Sequence, residues 1–237
     1  MTATGRRTVE VVDDVAGAAA DRIAAIATAG ANIVLSGGST PRAAYEHLAG
    51  MDVDWSGCTL WFGDERCVAP DDERSNHRMV REALLDRLTG TPPDVRRMAG
   101  EMGPNDGAGL YAEDLRSVWP DGMPAFDLVL LGLGPDRHTA SLFPGQPEVE
   151  ERERPVVGVP EAGMEPRVPR ITLTIPAFSA AREVLFLVAG TDKAEAVADA
   201  FTGPPGPDRP ASLVAPAGQA TVLLDADAAA RLPEDEL

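Results

Sequence analysis

The chain has 237 residues, 44% of them hydrophobic, enough for one full core with at most a small subdomain, and its formal net charge is −17. Such a charge repels nucleic acid and anionic membranes at long range, so neither is an expected partner; a small anion held by a few local cations is compatible, because salt screens charge over about 10 Å. Apolar runs are no longer than a strand, the first residues (MTATGRRTVEVVDD) lack a signal peptide's apolar stretch, and Cys58 and Cys67 lack metal-site or CxxC spacing, so a cytoplasmic chain with reduced thiols, no metal and no cofactor is expected.

Residues 6 to 12 (RRTVEVV) read as a first strand, and Asp13 or Asp14 caps a helix with Val15, Ala19, Ile23 and Ile26 on one face. Gly30 ends it. A second strand, Ala31 to Leu35, runs into SGGSTP and a helix from Pro41 to about Leu48, with Pro41 at the first helical position and Ser39 or Thr40 as the cap. Gly37 and Gly38 carry no side chains, so N–H groups there, with the helix start and the hydroxyls of Ser39 and Thr40, can surround a phosphate; the competing reading is a plain tight turn. The pattern matches neither the P-loop nor the dinucleotide fingerprint.

Cys58 to Gly63 (CTLWFG) is a third strand, ending in Asp64, Glu65 and Arg66. Arg66 offers a planar fork to an anionic oxygen and Asp64 orients it, unless these charges only form a surface ion pair. Ser75 caps a helix to about Leu88 with Val80, Leu84, Leu85 and Leu88 facing inward; in its first turn Asn76 is within reach of a pocket and His77 is expected to be solvated. Residues 89 to 107, rich in Pro and Gly, form a connection with one short strand near Val95, and Gly109 to Trp119 has helical spacing.

Phe126 to Leu131 is a continuous apolar run that leads into Gly132, Gly134, Asp136 and His138, followed by a small-residue turn that starts a helix at Thr139. Such a run reads as a strand buried on both faces of a parallel sheet, and a His just past its carboxyl end lies where open α/β sheets place ligands. Gln146 to Arg170, charged and Pro-rich without periodicity, reads as a mobile flap over the site. Arg170 opens the strand RITLTIP. After the buried strand Glu183 to Ala189, GTDK leads to a helix through Phe201, capped by Thr191 or Asp192, with Lys193, the chain's single lysine, in its first turn. A cation there opposes the helix dipole by roughly 0.3–1 kcal/mol, a penalty that a bound anion reverses. A last strand, Ala220 to Asp225, precedes an acidic tail expected to fray. Strands alternating with helices give an α/β, doubly wound, mainly parallel sheet with helices on both faces, one domain over 1–237 with the flap at 146–170.

Taken together, SGGSTP (36–41), WFGDER (61–66), Ser75-Asn76, GLGPDRHTASLFPG (132–145), RITLT (170–174) and GTDKAEAV (190–197) resemble the 6-phosphogluconolactonase family, within a larger sugar-phosphate group that includes glucosamine-6-phosphate deaminase. The resemblance implies hydrolysis of the phosphorylated sugar lactone 6-phospho-D-glucono-1,5-lactone in the oxidative pentose phosphate pathway, without metal or cofactor, by a monomer or weak homo-oligomer. It makes His138 the general base, gives the phosphate to Gly37, Gly38 and Ser39 with Arg170 and Lys193, and puts Asp64 and Arg66 at the lactone end. Asp136 orients the His or braces its loop; Arg66 or backbone N–H groups after the glycines supply the oxyanion contact. Two positions depart from the family pattern. Arg137 stands where Gly is usual, and His77 where an aromatic is common. If that Gly has positive φ, Arg137 costs about 1 kcal/mol; otherwise it adds a substrate contact. The rival readings are the deaminase, whose pattern has Tyr at the place of Arg66 and Phe-Asn at Ser141-Leu142, and a catalytically silent sugar-phosphate sensor.

Overall fold

The computed structural model describes residues 6–27 and 30–236. In chain order the elements are β1 (Arg6–Val11), α1 (Val15–Ile26), β2 (Asn32–Leu35), α2 (Ser39–Leu48), β3 (Thr59–Phe62), β4 (Asp64–Arg66), α3 (Asn76–Ala83), β5 (Asp94–Arg96), α4 (Pro104–Val118), β6 (Leu128–Leu131), β7 (Val156–Val159), β8 (Arg170–Leu173), α5 (Ile175–Ser179), β9 (Glu183–Val188), α6 (Ala194–Phe201), β10 (Gln219–Leu224) and α7 (Ala226–Ala229). Seven strands form a parallel sheet in the order β1-β10-β9-β6-β2-β3-β5. Every residue of β6 is buried, and so are five of the six in β9 and in β10. Successive side chains point to opposite faces, so both faces of this sheet are covered, as its apolar runs require.

From β2 the chain steps outward to β3 and β5, then returns as β6 on the other side of β2 and continues to β9 and β10. The order therefore reverses between β2 and β6. Their carboxyl ends diverge there and open a crevice, the place where sheets of this kind hold small molecules.

A second sheet, β4-β8-β7, is antiparallel and was not visible in the sequence pattern. Gly63 is the junction: its N–H donates to Leu35 of β2 at 2.9 Å, and its carbonyl accepts from Leu173 of β8 at 2.8 Å. Residues 146–170, expected as a mobile flap without periodicity, hold a 3-10 turn at Pro147–Glu150 and the strand β7. Four residues interrupted by Gly158 are too short to show alternation, and β7 is recognisable only by its antiparallel pairing with β8. Likewise α4 begins at Pro104 rather than near Gly109, because Gly107 lets the helix press on β8, where a Cβ would lie 2.4 Å from Ile171 Cδ1.

Other boundaries moved for local reasons. Helix α3 stops at Ala83 and a 3-10 turn, Leu85–Arg87, completes the predicted run. Thr139 starts no helix; it pairs with Leu142 across a tight turn. The acidic tail carries α7, capped by Asp225, and a 3-10 turn at Glu234–Glu236. The two tyrosines do one job at two places: each hydroxyl accepts from a backbone N–H and donates to the carbonyl of the same residue, Tyr45 at Ser36 (2.9 and 2.9 Å) and Tyr111 at Phe62 (2.8 and 3.2 Å). Ser36 and Phe62 lie at the carboxyl ends of β2 and β3, where ladder bonding stops and buried backbone groups need other partners. Among the described residues, no helix is long and apolar enough to cross a membrane.

Candidate active site

A cleft of about 420 Å³ opens at the switch between β2 and β6. Its walls come from four strand ends: Gly37 to Pro41 after β2, Asp64 and Arg66 after β3, Gly132 to Pro135 with His138 after β6, and Leu187 to Ala189 with Asp192 and Lys193 around the end of β9. Met164, Glu165, Phe143 and Arg170 complete the rim.

The glycine turn is built for a close backbone approach. Gly38 has φ 109°, in the left-handed region, and caps α2 without any side-chain hydrogen bond, so the helix starts at Ser39, two residues before the expected Pro41. Pro41, Ala44, Tyr45 and Leu48 bury one face of α2, and Tyr45 bonds to Ser36 to hold the turn from behind. First-turn N–H groups that lack a side-chain cap, at the positive end of the helix dipole, suit an anion. Gly37 cannot be replaced without a shift, since a Cβ there would lie 2.2 Å from Asn76 Oδ1.

His138 sits on a tight loop. Arg137 N–H donates to Gly134 O at 2.9 Å and Gly134 N–H to His138 O at 2.9 Å. Asp136 Oδ1 lies 2.5 Å from His138 Nδ1 and also accepts the His138 backbone N–H at 3.2 Å. Burial alone would raise the Asp136 pKa, but the hydrogen bonds and charge of His138 outweigh it and hold the carboxyl below its usual range. Asp136 is therefore a carboxylate at neutral pH and accepts the proton on Nδ1; in the neutral imidazole this leaves the lone pair on Nε2. The ring is 22% exposed and rests on Phe143, centroids 4.9 Å apart. Gly134 admits this geometry, because a Cβ would come within 2.0 Å of Nδ1.

Beneath the rim lies a buried polar cluster. Asp64 Oδ1 accepts from Asn76 Nδ2 at 3.0 Å, Oδ2 from Ser141 Oγ at 2.6 Å, and Arg170 Nη1 lies 4.0 Å from Oδ2. Glu65 accepts from the N–H groups of Arg66, Asn76 and His77 and from the Ser75 hydroxyl. Burial pushes its carboxyl pKa up, and the three backbone hydrogen bonds oppose that. Arg170 is almost fully buried; its guanidinium also donates to the carbonyls of Pro166 (2.8 Å) and Val168 (3.3 Å). Burial pulls its pKa down and Asp64 pushes it back. Arg66 donates to Arg74 O at 2.7 Å, while its buried Nε has no hydrogen-bond partner among the described residues.

A family model described as glucosamine-6-phosphate isomerases/6-phosphogluconolactonase matches residues 6–223. The chain belongs to that family. It is 41% identical to the 6-phosphogluconolactonase of Streptomyces coelicolor over 216 residues (86% of this chain, 82% of the relative) and 41% identical to that of Mycobacterium tuberculosis over 220 residues (89% of each). The solved 6-phosphogluconolactonase of Trypanosoma cruzi superposes with a TM-score of 0.84 at 29% identity, covering 97% of this chain and 98% of that one.

Within this family fold the expected site residues divide. Gly37, Gly38, Ser39, Asp64, Arg66, His138, Arg170 and Lys193 line one cleft, and Asp136 stands directly behind His138. Asn76 does not face the cleft; it is buried under the glycine turn and bonded to Asp64. Arg137 turns away too, to Asp199 of α6, so the expected substrate contact is replaced by an ion pair. Its φ is 73°, and a non-glycine residue there costs roughly 1–2 kcal/mol. His77 is half-buried against Phe62 rather than solvated, and burial lowers its pKa. Lys193 closes a 3-10 turn, Thr191–Lys193, just before α6, so neither Thr191 nor Asp192 caps that helix. Its Nζ lies 3.6 Å from exposed Asp192. Ser141 and Phe143, unmarked by sequence reading, carry the Asp64 clamp and the His138 ring contact; their only signal was their place three and five residues after the His.

Proposed function

We propose that the chain hydrolyses 6-phospho-D-glucono-1,5-lactone to 6-phosphogluconate in the oxidative pentose phosphate pathway, with His138 as the base. The observation that carries this reading is the short Asp136–His138 pair, whose open nitrogen belongs to the same cleft as the capless start of α2.

Substrate phosphate sits over Gly37, Gly38 and Ser39, where backbone N–H groups and the helix dipole meet it, with Lys193 supplying a cation. Arg170 neutralises the Asp64 end of the cleft from below. His138 Nε2 takes a proton from water, whose oxygen bonds to the lactone carbonyl carbon and turns the carbonyl oxygen into an oxyanion. Arg66, whose side chain lines the cleft, is the side-chain donor proposed for it at the lactone end. When the ring C–O bond breaks, Nε2 returns the proton to the departing ring oxygen, leaving an open-chain acid that ionises. Asp136 stays a carboxylate and stabilises the transient imidazolium. A water-soluble phosphorylated substrate suits a cytoplasmic setting.

The deaminase reading meets an obstacle in Arg66 and in Ser141, which is bonded to Asp64. Offering purified protein fresh lactone and, separately, glucosamine 6-phosphate decides between them. Hydrolysis above the spontaneous rate with no ammonia release is expected; ammonia release with spontaneous-rate hydrolysis overturns the proposal.

A further inference from the structure

Among the described residues, only two non-glycine positions have positive φ, Arg137 (73°) and Ala140 (49°), and they bracket His138. The imidazole is thus held on backbone that L side chains disfavour, and something must hold that backbone there. Arg137 occupies the left-handed position that follows a tight turn, a place suited to glycine or asparagine. Its side chain crosses to α6. Arg137 Nε donates to Asp199 Oδ2 at 2.8 Å, Nη2 binds the same oxygen, and Glu195, one helical turn earlier on α6, lies 4.0 Å away. Glu195 is shared with Arg231 at 3.2 Å, and the Asp199 carbonyl accepts from Arg209 at 3.4 Å, so the Asp199 carboxylate is left to Arg137. The Arg137 carbonyl accepts from Ala211 N–H at 3.4 Å. Helix α6 begins immediately after Lys193.

We propose that Arg137 and Asp199 form a positioning clasp: the ion pair holds the left-handed turn that aims His138 and fastens it to the helix behind Lys193, so that base and cation keep one separation. The kinetic part rests on the lactonase reading; the structural part does not. Neither residue touches the cleft, so the clasp acts through His138.

The distinguishing variants are Arg137→Ala, which keeps a Cβ on the left-handed backbone without the clasp, Arg137→Gly, which removes both Cβ and clasp, and Asp199→Ala. Arg137→Ala and Asp199→Ala are expected to lower kcat about five- to twentyfold, with KM within about twofold, as a misaimed catalytic group does. The double variant Arg137→Ala/Asp199→Ala is expected to be no worse than either single, and Arg137→Gly to recover most of the loss. A readout independent of any substrate is the ¹⁵N imidazole spectrum of His138: one Nδ1–H tautomer in wild type and Arg137→Gly, exchange-broadened or mixed in Arg137→Ala and Asp199→Ala, with circular dichroism showing all four folded. Wild-type kcat and tautomer in Asp199→Ala, or an Arg137→Gly variant as impaired as Arg137→Ala, would overturn the clasp. A clasp that appears in the imidazole spectrum while no variant, wild type included, hydrolyses lactone would overturn the substrate reading instead.

Discussion

Two strand ends in this molecule carry the same chemistry and put it to opposite uses. At the end of β3, Asp64 and Glu65 have all four carboxylate oxygens engaged, by Asn76, Ser141, Ser75 and backbone N–H groups. At the end of β6, Asp136 is engaged through one oxygen by His138 Nδ1, and His138 lines the cleft. On the proposed mechanism, the carboxylates saturated by their own fold act as structure, whereas the one that binds a single nitrogen of an imidazole sets up a base. Burial separates them as well: Asp64 and Glu65 lie within the protein, and the Asp136–His138 pair is at its surface.

The largest way to break this contrast is Asp136→Asn. An amide donates as readily as it accepts, so it can hold the imidazole in the tautomer with the proton on Nε2, and kcat should fall on the order of 10²-fold or more. Activity near wild type would make Asp136 only a loop brace. Ser141→Ala sharpens the other side: it strips a 2.6 Å donor from buried Asp64 and should lower unfolding free energy by about 1–3 kcal/mol in urea titrations, with kcat changed less than about threefold. A large kcat loss at unchanged stability would show the lower cluster to be chemical after all.

The smallest effect is a pH dependence. The Asp136 pKa is lowered in the fold from an ordinary 3.8, so its contribution to stability is fully present above that value and is lost as pH falls through the folded pKa beneath it. The urea-midpoint gap between wild type and Asp136→Asn should therefore shrink as pH falls below 3.8; a gap that widens in that range would reverse the assigned shift.

The main sheet was legible because its strands are apolar runs bounded by glycine, and the position of His138 followed from being one of them extended by a few residues. What stayed hidden was non-local. In the β4-β8-β7 sheet, β4 pairs with a segment about a hundred residues on, and β7 with its near neighbour β8; each strand is only three or four residues long, below what alternation can reveal. Asn76 was correctly placed at a helix start, but its direction was set by Gly37 lying over it. Arg137 read either as a strained positive-φ position or as a substrate contact; its φ of 73° bears out the first, and the ion partner that turns its side chain away is 62 residues further on. Arg170 and Lys193, read alike as phosphate cations, differ in exposure, the first almost sealed and the second open at the rim.

The central claim is that the open nitrogen of His138 activates the attacking water. Its most direct test is the hydrolysis of freshly prepared 6-phosphogluconolactone by wild type and by His138→Ala, the spontaneous rate subtracted, with 6-phosphogluconate affinity measured in both. Retained affinity with a rate loss of about 10²- to 10⁴-fold in the variant is expected. Equal net rates in the two proteins would contradict it.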